Sequence, residues 1–371
     1  MPDEDTGRAA VTRVRRVVVK VGTKALTGAD GRLDSDFVRA LSAQIAGLLE
    51  SGLEVALVSS GAIGAGMGEL ELSSRPRTLP RLQAAAAVGQ GQLMRTFHDA
   101  FARFRVRVAQ ILVTRDDFHD RTRYLNIRNT IRALTAWRAL PVINENDTVS
   151  VDEIRFGDND VIAALVANLI DADLLVMLTD VAGFLRRGRR VSRLERVDAA
   201  ALAEAGAESD RLGVGGMRSK LQAAATVTGA GAAAVVAPAR EPEVLRRLLA
   251  GEDLGTLCAP ARRRMSARRR WIGHAARTSG KLLIDAGAAE ALHRRGKSLL
   301  PSGIVDVIGR FAKGANVAII GPDGETVARG LTNYSAEQIR RIKGLKTSRI
   351  AKVLGDRPYD EVVHRNNMTL A

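Results

Sequence analysis

The first two-thirds of the chain alternate short apolar runs with longer helical patterns, and this order limits the fold more than any other feature. Each run is rich in Val, Ile and Leu without strict apolar–polar alternation, which is typical of strands buried on both faces. The predicted strands are 16–21, 54–59, 107–113, 140–144, 174–178 and 232–237. The predicted helices are 35–51, 80–104, 122–138, 158–170, 216–230 and 241–250. The order predicts an α/β fold, a three-layer sandwich with helices on both faces of a mostly parallel sheet.

The last part of the chain differs in pattern and in charge. Residues 262–371 hold 22 Lys or Arg against 9 Asp or Glu, whereas residues 1–261 hold 34 against 32. Short strands with Gly and Pro turns, including GPDGE at 321–325, predict a small β-rich, barrel-like domain. The sequence predicts four parts: a disordered tail 1–13, a first domain 14–260, a solvated basic linker 261–274 and a second domain 275–371.

Composition limits the cellular setting. The start of the chain lacks the apolar segment of a secretory signal, and no run of about 18 apolar residues occurs. The single cysteine, Cys258, excludes an internal disulfide framework and suits a reducing compartment. We therefore expect a cytoplasmic protein with no membrane partner.

Several loops follow predicted strands, where sheets of this kind bind ligands. A Walker-type loop is absent, because Ala291 stands where the glycine before Gly296-Lys297-Ser298 is required. Lys20 ends the first strand, and Gly22 and Thr23 follow; a glycine there lets backbone N–H groups approach an anion beside the lysine charge. The alternative is a strand lysine that reaches solvent.

Two more loops carry the same chemistry. After the second strand come Ser60 and glycines at 61, 64, 66 and 68. They favour an anion site over close helix–strand packing, because glycine is costly inside helices. Thr179 and Asp180 end the strand 174–178, either at a ligand site or as an ordinary turn.

The segment GVGGMRSK (213–220) joins three glycines to the start of an Ala-rich helix. Glycines before a helix N-terminus with a nearby lysine form a phosphate cradle. The alternative is a flexible loop with a capping serine.

Segment 141–169 is unusually polar for its position between apolar runs. Asp158, Asn159 and Asp160 precede a helix, where Asp and Asn act as caps and suit the first turn. That explanation does not extend to residues 144–147, which end a buried strand. The segment could therefore form a polar pocket across the ends of buried strands, with two edges joined by a mobile loop, 148–157.

Together and in this order, these segments resemble the amino acid kinase family, and within it the members that phosphorylate the γ-carboxylate of L-glutamate. The matching segments are VVKVGT, VSSGAIGAG, AAVGQ (86–90), LNIRNTI (125–131), PVINEND, FGDND, MLTD (177–180) and GGMRSKLQAA. The C-terminal part resembles a PUA domain, a small β-barrel module found in many RNA-modifying enzymes and in many bacterial members of this kinase group.

The resemblance implies ATP-dependent phosphorylation of glutamate to L-glutamyl 5-phosphate, the first step of proline synthesis, with Mg²⁺. The implied ATP-binding residues are Lys20, Thr179, Asp180, Val214, Gly215, Gly216, Met217, Arg218, Ser219 and Lys220. The implied glutamate-binding residues are Ser60, Asp147 and Asn159. Lys20 and Lys220 would clamp the phosphoryl group, and Asp158 and Asp160 would organise the site. The family also implies a homo-oligomer, a dimer or tetramer, and commonly proline inhibition.

The chemistry agrees with these roles. A glutamate carboxylate is ionised at pH 7 and needs no general base, so the site must instead bring two anions together. Lysines, backbone N–H groups and Mg²⁺ neutralise the charge on the transferring group. Mg²⁺ takes one or two carboxylates plus phosphate oxygens, so an acidic cluster near the phosphates is sufficient. The sequence singles out no residue as a direct metal ligand. Asp147 suits the substrate ammonium, and the Ser60–Gly61 loop suits its α-carboxylate.

Two alternatives are open from the sequence. The first is a kinase of the same fold that acts on another acidic amino acid, on carbamate or on a nucleoside monophosphate. The second is an RNA-binding protein that acts through the basic C-terminal part. Against the second, the near-neutral first 261 residues hold the glycine loops and lack paired aromatic residues on which bases stack.

Overall fold

A computed structural model describes residues 8–28, 31–150, 159–209, 216–261, 265–355 and 359–370 of the chain. The chain divides into two compact units. The first comprises Met1–Asp117 and Thr122–Arg264, and the second comprises Phe118–Arg121 and Met265–Ala371. No helix among the described residues is long and apolar enough to cross a lipid bilayer.

The first unit contains an eight-stranded sheet in the order β3-β4-β2-β1-β5-β9-β10-β8. Its strands are β1 (Arg16–Val21), β2 (Glu54–Ser59), β3 (Arg107–Val113), β4 (Ala139–Glu145), β5 (Leu174–Thr179), β8 (Arg193–Leu194), β9 (Ala233–Pro238) and β10 (Thr256–Cys258). All neighbouring pairs are parallel except β9 and β10. A separate hairpin joins β6 (Leu185–Arg186) to β7 (Arg189–Arg190). The prediction of a mostly parallel sheet is confirmed.

Helices cover both faces of this sheet. They are α1 (Ala9–Thr12), α2 (Thr23–Leu26), α3 (Ser35–Glu50), α4 (Ala62–Glu69), α5 (Leu79–Ala102), α6 (Arg115–His119), α7 (Arg121–Ala136), α8 (Asn159–Ile170), α9 (Ala199–Ser209), α10 (Met217–Gly229) and α11 (Val244–Leu249). Val17, Val19 and Val21 pack into a core shared with α3, α4, α5 and α11. Successive side chains of a strand point to opposite faces, so Lys20 points to the other face, where α8 packs on β1 and α10 packs on β9. This layering brings Lys20 toward the two helices that carry the other charged groups of the site.

The N-terminal residues 8–13 differ from the predicted disordered tail, whose residues 1–7 lie outside the described part of the chain. Arg8 is only 2% exposed, and Val11 in α1 is fully buried. The Arg8 guanidinium donates to the carbonyls of Glu252 and Leu254 and pairs with Asp253 at 2.5 Å. The sequence carries no sign of these partners because they lie more than 240 residues away along the chain.

The glycine-rich segment after β2 forms helix α4, which packs closely against α5. A Cβ added at Gly66 would lie 1.8 Å from the carbonyl oxygen of Ala85, and one at Gly89 would lie 1.9 Å from that of Ala62. Both positions therefore require glycine for close helix–helix contact. Gly66 therefore serves contact between two helices, and the predicted anion site is confined to the Ser60–Gly61 end of the segment.

The second unit contains a five-stranded sheet in the order β12-β11-β13-β14-β15. Its strands are β11 (Gly280–Ile284), β12 (Ile304–Ile308), β13 (Asn316–Ile320), β14 (Thr326–Thr332) and β15 (Val363–Leu370). Only β11 and β13 are parallel neighbours. The predicted hairpin is present, because β13 and β14 pair antiparallel on either side of 321–325, with Gly324 at φ +83°. Helices α13 (Ala286–Arg295), α14 (Ala336–Ile342) and α15 (Ile350–Leu354) complete the unit.

The segment predicted as a solvated basic linker is structured where it is described. It forms α12 (Ala267–Arg270) and a π-helical turn, Trp271–Ala275. The Trp271 side chain is 8% exposed, and its indole N–H donates to the carbonyl of Phe118 at 3.1 Å. The Arg270 guanidinium is buried and donates to the carbonyl of Met265 at 2.6 Å. The solvated-linker prediction fails here because a large aromatic ring anchors the turn within the second unit.

Candidate active site

Three buried charged side chains meet beside the central strand β1. The ammonium of Lys20 lies 2.7 Å from Oδ1 of Asp160, and that of Lys220 lies 3.2 Å from Oδ2. Lys20 is 4% exposed, Asp160 1% and Lys220 7%. Asp160 stands in the first turn of α8, and Lys220 in the first turn of α10. Two ammoniums share one carboxylate, so this cluster carries a net positive charge in a desolvated position, which favours an anion.

The electrostatics keep the central carboxylate ionised. Burial alone would raise the pKa of Asp160, but the ammoniums of Lys20 and Lys220 and a hydrogen bond from Ser219 outweigh it, so the pKa lies below its ordinary value. The hydroxyl of Ser219 donates to Oδ2 of Asp160 at 2.7 Å. Burial lowers the pKa of Lys220, Asp160 opposes that shift, and Lys20 reinforces it. The cluster is therefore a coupled unit in which each charge depends on the others.

The predicted phosphate loop reaches this cluster through α10. Gly216 is the N-cap of that helix in extended conformation, and Met217, Arg218, Ser219 and Lys220 form its first turn. Val214 and Gly215 lie outside the described residues. The N-terminus of a helix presents free N–H groups and a partial positive charge, so this end of α10 adds to the attraction for a phosphate.

Thr179 is the last residue of β5, the neighbour of β1, and Asp180 follows it. Thr179 is buried, and its hydroxyl donates to Oδ1 of Asp180 at 3.0 Å. Oδ2 of Asp180 lies 3.5 Å from the ammonium of Lys24 in α2. Burial raises the pKa of Asp180, but hydrogen bonds and the charge of Lys24 lower it by more. The pKa therefore lies below its ordinary value. Asp180 also acts on Lys220, because its charge raises the pKa of that lysine.

A second group of polar side chains lies where β4 ends. The Asn144 amide nitrogen donates to Oε1 of Gln90 at 2.7 Å, and the Asn159 amide nitrogen donates to Oδ1 of Asn144 at 3.3 Å. Asn144 is 2% exposed and Asn159 9%. Asn159 precedes Asp160, so one helix start serves both this amide group and the charged cluster.

Ser60 and Asp147 lie at the same edge of the sheet. Ser60 is buried directly after β2, and Gly61 beside it has φ +101°, a left-handed conformation that favours glycine. Asp147 follows β4, and burial raises its pKa to about 6, with Arg75 opposing that shift. Asp158 and most of the predicted mobile loop, 151–157, lie outside the described residues.

The structure thus joins the residues of the sequence prediction into groups. Lys20, Asp160, Ser219 and Lys220 form one cluster, Asp180 acts on it, and Asn159 borders it. The sequence places Asn144 at one edge of the predicted pocket but gives no separate role to Gln90 or Lys24. Gln90 ends the matching segment AAVGQ (86–90), but helical periodicity alone does not separate it from a surface glutamine.

A mostly parallel α/β sheet with a buried anion-attracting cluster at its strand ends defines a phosphotransferase of the amino acid kinase class. The model of the amino acid kinase family matches residues 15–237, and the PUA domain model matches residues 280–354. A glutamate 5-kinase from Geobacter sp. (strain M21) is 46% identical over 365 residues, which are 96% of this chain and 98% of the relative. A glutamate 5-kinase from Caldanaerobacter subterraneus subsp. tengcongensis is 46% identical over 362 residues, 96% of this chain and 97% of the relative. The chain belongs to the amino acid kinase family and, within it, to the glutamate 5-kinases.

Among solved structures, carbamate kinase from Giardia lamblia bound to AMP-PNP is 18% identical, with a TM-score of 0.48. The match covers 67% of this chain and 100% of that chain.

Proposed function

We propose that this chain transfers the γ-phosphoryl group of ATP to the γ-carboxylate of L-glutamate and forms L-glutamyl 5-phosphate, the first step of proline biosynthesis. The observation that carries the proposal is the buried Lys20–Asp160–Lys220 cluster, which holds two cations around one carboxylate. The acceptor carboxylate is already ionised at neutral pH, so a site with fixed positive charge and no general base suits this reaction.

Lys20 and Lys220 act as the clamp on the transferring phosphoryl group. In this role Asp160 holds both ammoniums in place before ATP binds, so little reorganisation is needed when charge develops in the transition state. Ser219 fixes the carboxylate, and Asp158 organises the site beside Asp160. The N-terminus of α10, with Val214, Gly215, Gly216, Met217 and Arg218, and the pair Thr179-Asp180 hold the nucleotide.

Glutamate binds between the ends of β2 and β4. Asp147 pairs with the ammonium of glutamate, and the Ser60–Gly61 loop donates to its α-carboxylate. Asn159 contacts the bound glutamate from the start of α8. In this orientation the γ-carboxylate points toward the lysines, because Asn159 and Asp160 are neighbours at one helix start.

Mg²⁺ enters with ATP as part of the substrate. Both oxygens of Asp160 already contact ammoniums, so this carboxylate is poorly suited to ligate a metal ion directly. The described residues contain no group of three or more His, Cys, Asp or Glu that would hold a metal ion. Mg²⁺ commonly takes one or two carboxylates together with phosphate oxygens and water. Its chemistry is to neutralise the β- and γ-phosphate oxygens.

Hydroxylamine trapping of an acyl phosphate tests the activity. We expect hydroxamate to form with MgATP and L-glutamate. Aspartate, carbamate and nucleoside monophosphates serve as comparison acceptors. For carbamate and the nucleotides, the release of ADP is measured instead. Product from another acceptor and none from glutamate would overturn the proposed substrate while leaving the family assignment intact.

We also propose a cytoplasmic homo-oligomer, a dimer or tetramer, that proline inhibits near the glutamate site. Light scattering of the full chain measures the assembly, and glutamate titrations at several proline concentrations measure inhibition. A purely competitive pattern supports a site that overlaps glutamate; no effect of proline at millimolar concentration contradicts it.

A second candidate function is RNA binding by the C-terminal unit. A cavity of about 680 Å³ in this unit has Lys297, His364 and Arg365 in its lining, beside the apolar Leu292 and Leu299. Combined with the excess of basic residues in 262–371, this supports contact with phosphates. Binding of labelled RNA to the full chain should weaken steeply with salt, and Lys297→Ala with Arg365→Ala should weaken it further. Salt-independent binding, or none, would rule this candidate out.

A further inference from the structure

The side-chain amides of Gln90, Asn144 and Asn159 form a hydrogen-bonded series whose direction is fixed by the backbone. The N–H of Glu145 donates to Oδ1 of Asn144 at 2.9 Å, and a backbone N–H can only donate. Oδ1 of Asn144 must therefore face Glu145, and its Nδ2 must face Gln90. It follows that Gln90 presents Oε1 to Asn144, whereas Asn159 presents Nδ2. No amide in the series can be reversed without breaking a hydrogen bond.

This direction leaves one donor and one acceptor at the two ends of the series. Nε2 of Gln90 and Oδ1 of Asn159 are both buried and have no hydrogen-bond partner among the described residues. A buried polar atom without a partner costs free energy, so such atoms are rare unless a ligand or water completes them. A donor at one end and an acceptor at the other match the carboxylate and the ammonium of an amino acid.

Close packing places Gln90 beside the loop that the substrate is expected to contact. Gly89, the preceding residue, lies against the backbone of Ala62 and Gly66 in α4, where a Cβ would come within 1.9 Å of the Ala62 carbonyl oxygen. Ala62 begins α4 two residues after Ser60. Gln90 is therefore held between the Ser60–Gly61 loop and the end of β4 by a contact that tolerates no larger residue.

We propose that Gln90 is a specificity-determining residue whose side-chain N–H donates to the α-carboxylate of the amino acid substrate, while Oδ1 of Asn159 accepts from its ammonium. The proposal rests on the proposed function, because it takes glutamate as the occupant of this pocket. It adds a residue of α5 to the pocket and explains why Asn144, which joins the two ends, is buried.

The test exchanges the donor for an acceptor. In Gln90→Glu an oxygen can still accept from Asn144, but the free end becomes an anion that faces the α-carboxylate. We expect the KM for glutamate to rise about 10- to 100-fold, the range for losing a charge-assisted hydrogen bond, while the KM for ATP stays within twofold. In Gln90→Met, which lacks the donor without adding charge, we expect a smaller rise.

L-Isoglutamine gives a readout that general damage to the site would not produce. It keeps the γ-carboxylate, but its α-carboxylate is a carboxamide that can donate to Glu. The ratio of kcat/KM for isoglutamine over glutamate should increase at least about tenfold in Gln90→Glu and not in Gln90→Met. Gln92→Glu, the same exchange at an exposed position of α5, is the matched control. It should change neither the isoglutamine-to-glutamate ratio of kcat/KM nor the KM for glutamate.

Each outcome distinguishes the two proposals. If the wild-type chain shows no glutamate-dependent turnover, the proposed function and this assignment both fall. If wild type is active and Gln90→Glu keeps its glutamate KM within twofold, only the role of Gln90 is overturned. The same holds if both variants lose activity equally with glutamate and isoglutamine, because that result describes a structural role.

Discussion

The ammonium of Lys20 and the Oδ1 atom of Asp160 lie 2.7 Å apart, and both side chains are almost completely excluded from solvent. The lysine stands in the middle of the sheet on β1, and the aspartate begins α8 about 140 residues later in the chain. A buried charge pair is costly to break because each partner is then left without compensation.

Asp160→Asn should remove the charge that holds two lysines together. The ammoniums of Lys20 and Lys220 would then repel each other in a desolvated position. We expect kcat to fall about 100-fold or more. We expect the free energy of unfolding to fall by about 3–5 kcal/mol. Hydroxamate assays and urea denaturation measure the two effects.

Asp99→Asn is the matched control, since Asp99 is exposed on α5. It should leave both quantities within experimental error. Full turnover in Asp160→Asn would show that the lysines are held correctly without this carboxylate, which contradicts its organising role.

Lys220→Ala should lower kcat with little change in the KM for glutamate. The removed ammonium neutralises charge that develops on the transferring phosphoryl group, so its loss acts mainly in the transition state. We expect a decrease of about 100- to 1,000-fold in kcat. Lys352→Ala, at an exposed lysine of α15, should have no effect. Intact turnover in Lys220→Ala would exclude the clamp role.

Glutamate binding should weaken as the pH falls below about 6. Burial raises the pKa of Asp147 to about 6, so its carboxyl group gains a proton in this range and can no longer pair with an ammonium. We expect the KM for glutamate to rise between pH 7 and pH 5 in the wild type. In Asp147→Asn the KM should be high at pH 7 and should change little over this range. The KM for ATP is the internal control; an equal rise in both KM values would implicate another group.

The same pKa shift predicts a gain in stability for Asp147→Asn. The folded-state pKa exceeds the ordinary value, 3.8, so the contribution of Asp147 to stability is fully present below about pH 3.8 and is lost as the pH rises through about 6. At pH 8 the variant should be more stable by up to about 3 kcal/mol, and the difference should shrink toward pH 4. Urea denaturation at both pH values measures this; equal stability at pH 8 would argue against a raised pKa.

Gly89→Ala and Gly91→Ala should have opposite effects on stability, although both glycines are direct sequence neighbours of Gln90. At Gly89 the new methyl group would overlap the backbone of α4, so we expect a loss of about 1–3 kcal/mol and a higher KM for glutamate. At Gly91 nothing lies within 4 Å, and alanine should stabilise helix α5 by about 0.5–1 kcal/mol. Similar effects of both substitutions would contradict the close helix contact.

The periodic parts of the fold could be predicted from the sequence. The strands around Lys20, Ser59 and Thr179 are apolar runs that end in polar residues, so both the strand and the position where it ends are local properties. Local pattern places Arg8 in a disordered tail and Trp271 in a basic linker, because their acceptors, Glu252, Leu254 and Phe118, are distant in sequence. Local pattern contains no information on such partners.

The sequence by itself determined the α/β order, the polar ends of the strands and the kinds of residue offered there, because these depend on short-range periodicity and on side-chain chemistry. Only the tertiary structure decided that Lys20 and Lys220 share one carboxylate, that Gly66 and Gly89 serve helix contact, and that Gln90 belongs to the amide series at β4. Each of these depends on distances between atoms far apart in the chain. The free energy of a buried charge or amide is set by those distances and by the absence of water, which no single segment of the chain controls.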